Sequence, residues 1–171
     1  MNRFDWPEKT IREASEMLAS VLDEGAHCPL CGQWAKRYKR KINSTMARSL
    51  LWIVSRSDHS SLEGGWINIP AEAPKWLTRS NQHTTLRWWG LIERLPNDEP
   101  AKKHSGVWRP TQRGIEFSRG TIQVPSYVIH YNNKMLHWSD EKTTIQEALG
   151  EKFDYSETME PVGFNPEEKA K

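Results

Sequence analysis

The chain has 171 residues, of which 36% are apolar and 27% charged, with nine tryptophans and two cysteines. That length suits one domain, or one small domain with appendages. No run approaches the ~18 apolar residues of a membrane span, the opening MNRFDWPEKT has no apolar stretch of the signal-peptide kind, and two cysteines make no disulfide framework, which predicts a cytosolic protein with reduced thiols. The net charge of +2 is unevenly spread: residues 1–32 sum to −3, residues 33–119 to +9 and residues 120–171 to −4. A basic block of that size suggests a polyanion partner, most often nucleic acid, although an ordinary solvated basic surface gives the same sum.

Residues 7–24 read as an amphipathic helix, with Asp5 as cap and Pro7 in its first turn. Ile11, Ala14, Leu18, Val21 and Leu22 fall on one face, and Gly25 stops it. The stripe must bury against the domain body or a second subunit. The cysteine turn and a basic extended segment follow, over 27–41. A second helix spans 44–57, capped by Asn43 or Ser44. Its broad apolar set of Met46, Leu50, Leu51, Ile53 and Val54 places it near the core.

A short strand is expected at 66–70, a short helix at 71–78, a further helix at 81–89 closed by Gly90, and strand-like LIERL at 91–95. Residues 96–106 form a charged loop, 107–110 a second strand, and Thr111 caps a short helix. TIQVPSYVIHY and MLHW flank the turn Asn132-Asn133-Lys134 as a β-hairpin. Ser139 is expected to cap a last helix over 140–149. The polar, acidic residues 156–171 are expected to be disordered.

The order from 43 to 119, and above all the blocks PKWLTRSNQHTTLRWWGLIERL and VWRPTQRGIEF, resembles the winged helix-turn-helix superfamily in a MarR-like layout. In it a recognition helix ends at a glycine (here Gly90), LIER-like residues (Leu91 to Arg94) enter the wing, and a strand ending at Thr111, followed by Gly114, opens the next helix. Pro110 stands where a strand donor is usual. With the elements on either side, the chain reads as an α+β protein in four stretches built on a winged helix-turn-helix core, the resemblance covering only 43–119. These are 1–42 (helix, cysteine knuckle, basic strand), 43–119 (winged helix), 120–155 (hairpin and helix) and the 156–171 tail. The resemblance implies a DNA-binding protein, with transcription regulation as the default role.

A helix entering the major groove needs small polar and cationic residues at its N-terminal end. Arg79, Ser80, Asn81, Gln82, His83, Thr84, Thr85 and Arg87 match that need, and Lys102, Lys103 and His104 form a wing tip. Lys36, Arg37, Lys39 and Arg40 make a strip for phosphate contact, or else a solvated edge strand whose lysines block pairing.

Cys28-Pro29-Leu30-Cys31-Gly32 has the shape of one zinc knuckle. Zinc takes four ligands, so the remaining ones come from histidines elsewhere or from a dimer sharing four cysteines. The alternative is a metal-free tight turn. A knuckle beside the basic strip would brace that strip against the DNA-binding domain.

No Walker loop, GxGxxG, HExxH or GxSxG is present, so no enzyme is expected. The expected partners are double-stranded DNA and a second copy of the chain. A rival class is also open. The small size, single knuckle and acidic tail look like a phage-type accessory protein that binds a host or partner protein and modulates it, with tryptophans forming the interface.

Overall fold

The computed structural model describes residues 10–151. In chain order these form α1 (Ile11–Val21), β1 (Ala26–His27), β2 (Trp34–Ala35), β3 (Tyr38–Lys41), α2 (Ser44–Ser57), β4 (Ile67–Asn68), α3 (Ile69–Glu72) and α4 (Lys75–Ser80). A 3-10 helix, Gln82–Trp89, follows. Then come β5 (Ile92–Arg94), β6 (Val107–Pro110), α5 (Gln112–Ser118), β7 (Val124–Pro125), β8 (Tyr127–Tyr131), β9 (Lys134–Trp138), β10 (Lys142–Thr143) and α6 (Ile145–Leu149). The protein is α+β. No helix among the described residues is long and apolar enough to cross a membrane.

The chain divides into two compact units that do not follow chain order. Among the described residues the larger holds Ile42–Ser126 with residues 140–151. Its centre is α2, whose Met46, Leu50, Leu51 and Ile53 are fully buried. Asn43 caps this helix, its side chain accepting from the Met46 amide at 3.0 Å. Leu77, Leu86, Trp89, Ile92, Trp108, Phe117 and Ile145 complete the core. Losing one such large side chain costs about 2–5 kcal/mol.

The sheet of this unit has the order β4-β6-β5, all antiparallel. Pro110 pairs with Ile92 at the end of the ladder, a position from which a missing N–H costs little. β7 and β10 form a second, two-stranded pairing. Trp89 ties the helix it ends to β7, its Nε1–H donating to the Pro125 carbonyl at 2.7 Å.

Among the described residues the smaller unit holds residues 10–41 with Tyr127–Ser139. Its sheet has the order β3-β8-β9, so the basic β3 is an edge strand. The hairpin of β8 and β9 turns on Asn132 and Asn133, with φ of 47° and 57°. Two consecutive left-handed residues make the tight turn whose twist suits a hairpin, and asparagine tolerates that region. Ala14, Leu22, Ala35 and Val128 are buried.

Several expectations need correction. Helix α1 starts later than 7–24 implies: Thr10 is its cap and closes a capping box with Glu13. Asp5, Pro7 and the 156–171 tail lie outside the described residues. Of the apolar stripe, Ala14 and Leu22 are buried, but Ile11 is 76% exposed and Val21 is exposed too. The strand expected over 66–70 stops at Asn68, whose side chain accepts from the Ala71 amide and starts a helical turn with Pro70 inside it. The 71–78 helix is broken in two, because Pro74 forces its own start at α4. Ser139 caps no helix; its hydroxyl accepts from the Tyr127 amide at 3.2 Å. The last helix begins after Thr144, which forms a capping box with Glu147.

Candidate nucleic-acid interface

The 3-10 helix Gln82–Trp89 winds at three residues per turn, so residues three apart eclipse one another. His83, Leu86 and Trp89 are its buried residues and form one such stripe. Asn81 and Gly90 bracket it with positive φ of 48° and 67°. The threonine hydroxyls reinforce this winding: Thr84 donates to the Asn81 carbonyl at 3.0 Å and Thr85 to the Gln82 carbonyl at 2.7 Å.

This winding overturns one expected groove contact. His83 faces inward and is only 3% exposed. Its ring meets Trp108 edge to face, with centroids 5.7 Å apart, and its Nδ1 has no hydrogen-bond partner. Burial lowers its pKa to about 4, so the imidazole is neutral at physiological pH. Gln82 is committed as well, its side-chain oxygen accepting from the Asn43 side-chain Nδ2 at 2.7 Å. Arg79, Asn81 and Arg87 are exposed, while Ser80, Thr84 and Thr85 are half-buried.

Strand β5 leads from this helix into the loop 95–106, and β6 returns. Across the ladder Glu93 opposes Arg109 and Arg94 opposes Trp108. The first pair forms an ion pair at 2.6 Å. On the other face the Arg94 guanidinium lies 5.5 Å from the Trp108 ring centre. Asn97 organises the loop by donating to the Glu99 and Lys102 carbonyls.

Between helix and loop lies an open cleft of about 410 Å³ lined by Arg87, Arg94, Lys103 and His104, among others. No carboxylate lines it. His104 is held below its ordinary pKa first by slight burial and then by the positive charges of Arg94, Lys103 and Arg87. Three cations from three elements, Arg87, Arg94 and Lys103, thus share one positive field, which favours the neutral form of His104. A neighbouring cleft of about 460 Å³ shares Arg94, His104 and Trp108 and reaches Asn81, His83 and Thr84.

The structure therefore gathers Arg87, Lys103 and His104, and adds Arg94. Period-two alternation in β5 carried the signal for Arg94: Ile92 is buried and Glu93 exposed, which turns Arg94 back toward its cross-strand neighbour. Arg79 does not line this cleft, and Lys102 is paired with Glu99 at 2.8 Å.

The basic strip belongs to the smaller unit. Lys39 and Lys41 are exposed, while Lys36, Arg37 and Arg40 are half-buried. Lys39 Nζ sits 3.8 Å from the Tyr127 ring centre, and Arg37 pairs with Asp23 at 3.2 Å. Arg40 Nε is buried without a partner.

Cys28 and Cys31 are both free. The Cys28 thiol is held below its usual range by the backbone amides of Cys31 and Leu30 and by the Cys31 side chain. His27 Nδ1 lies 2.9 Å from the Gly32 carbonyl, a contact that requires the proton on that nitrogen. Among the described residues no group of three or more His, Cys, Asp or Glu is placed to hold a metal ion.

No family model, curated protein or solved structure matches the chain.

Proposed function

We propose that the larger unit is a winged helix that binds double-stranded DNA, most simply to regulate transcription. Gln82–Trp89 would meet the groove and the 95–106 loop would serve as the wing. The observation that carries this reading is the cleft in which the cations Arg87, Arg94 and Lys103 converge beside His104 with no carboxylate among them. Such a group neutralises phosphates and releases counterions. Further support comes from the succession α2, β4, α4, 3-10 helix, β5, loop, β6 and from the β4-β6-β5 sheet. In this reading Arg87 and Arg79 position the helix and contact bases.

Fluorescence anisotropy with labelled duplexes tests the assignment. Arg79→Ala with Arg87→Ala is expected to weaken binding to a selected duplex by at least about tenfold, since each specific arginine contact contributes about 1–3 kcal/mol. Unchanged affinity removes the helix from the interface.

A second reading is favoured by a different observation. Trp34, Tyr38, Leu136 and Trp138 of the smaller unit are each about half exposed. Large aromatic side chains left in water suit a protein interface. In that reading the chain binds a host or partner protein, in the manner of a phage-type accessory protein, and modulates it.

A further inference from the structure

The knuckle carries chemistry that DNA binding leaves unused. Strands β1 and β2 clamp it, with Ala26 opposite Ala35 and His27 opposite Trp34. The Cys28 amide donates to the Gln33 carbonyl at 2.7 Å, and the Gly32 amide donates to the Cys28 carbonyl at 2.8 Å. These bonds fix both cysteines on one turn. The pair stands 3.6 Å apart. A tetrahedral zinc ion with Zn–S bonds of about 2.3 Å would hold two sulfurs about 3.8 Å apart. One chain thus offers two ligands of the four that a closed zinc site takes.

The surroundings indicate where the other two come from. Leu30, between the cysteines, is 57% exposed, and Trp34 at the base of the turn is 52% exposed. From Ala26 to Ala35 the chain has no Lys, Arg, Asp or Glu, although 27% of all its residues are charged. An apolar, uncharged tip gains by leaving water and raises no like-charge repulsion against an identical tip. A two-fold contact places the same patch on both sides, so it brings two cysteine pairs together at one point.

We propose that two copies of this chain meet knuckle to knuckle and share one zinc ion, held by Cys28 and Cys31 of each copy. Four thiols lose their protons to solvent as four Zn–S bonds form, with no change in oxidation state. Leu30 and Trp34 pack around the metal from both sides. The inference does not depend on the DNA-binding reading.

The test is a zinc titration of the full-length, reduced, metal-free protein, with mass followed by sedimentation velocity. The expected result is conversion of monomer to dimer that saturates at one zinc per two chains and reverses with a chelator. Cobalt(II) in place of zinc is expected to give the charge-transfer and strong visible bands of a tetrahedral four-sulfur site. Leu30→Glu keeps every thiol but sets two carboxylates face to face, and is expected to weaken the zinc-linked dimer about tenfold or more. Zinc uptake at one ion per chain with no change in mass overturns the proposal. So does an absence of zinc uptake, and so does a dimer indifferent to both chelator and Cys31→Ser. The stoichiometry is read on the unaltered protein, so it does not rely on any variant folding.

Discussion

Burial keeps His83 neutral, and that has a consequence for stability. Its pKa is about 4 in the folded protein against an ordinary 6.5. Between those values the unfolded chain holds a proton that the native state refuses. Stability is therefore complete above pH 6.5 and falls as the pH drops toward 4, by at most about 3 kcal/mol from this residue. Urea denaturation at pH 7 and pH 4.5 measures the loss, and His83→Leu, which does not titrate, is expected to lose less over the same range. Equal losses in the two proteins would remove His83 as the source. Gly114 is constrained in a different way. A Cβ there would lie 1.9 Å from the Leu91 carbonyl oxygen, which already accepts from the Thr111 amide at 3.0 Å. Gly114→Ala is expected to destabilise by more than about 3 kcal/mol, seen in thermal denaturation, because backbone rather than a flexible side chain must give way. A melting temperature within a degree or two of the parent would contradict that. The glycine was legible in the sequence as the partner of Thr111, but the carbonyl it must admit was not.

Among the elements, α2, β6 and α5 were legible nearly to their ends, because Asn43 and Thr111 are strong caps and the apolar spacing between them is unambiguous. The helix Gln82–Trp89 was legible as a helix but not in its winding. Leu86 and Trp89 are three apart, a spacing that serves both a 3.6-residue and a three-residue turn. Only His83 separates the two, and a polar side chain gives no inward signal of its own. The threonine hydroxyls and the two left-handed termini set the tighter winding, through bonds invisible in the sequence. The last helix was misplaced although its signal was present: Thr144 and Glu147 have capping-box spacing. Thr144→Ala is expected to cost about 1 kcal/mol and to speed amide exchange in α6 before the rest of the larger unit. Uniform exchange across that unit would show that α6 does not open on its own.

For the whole molecule, the charge blocks announced a basic middle but not which cations act together. Arg87 lies on a helix, Arg94 on a strand and Lys103 on a loop, so their convergence depends on the β5–β6 register and the loop fixed by Asn97. The strip at 36–41 was prominent in sequence, yet Arg37 is paired with Asp23 and Arg40 is half-buried, which leaves Lys39 and Lys41 as its clearly exposed cations. The nine tryptophans were equally ambiguous in sequence. Trp52, Trp89 and Trp108 are core residues, whereas Trp34 and Trp138 are about half exposed. The sequence showed how much aromatic surface exists; only the packing separates core from surface.

The most direct test of the DNA-binding account is the salt dependence of affinity for a random-sequence duplex, compared with the Arg87→Ala, Arg94→Ala, Lys103→Ala triple variant. The account predicts binding at low salt that weakens steeply as salt rises. It also predicts that the slope of log affinity against log salt is shallower in the triple variant by about 2 to 3, since each phosphate contact contributes about 0.9. Absence of binding at low salt, or a slope that the triple substitution leaves unchanged, would contradict it.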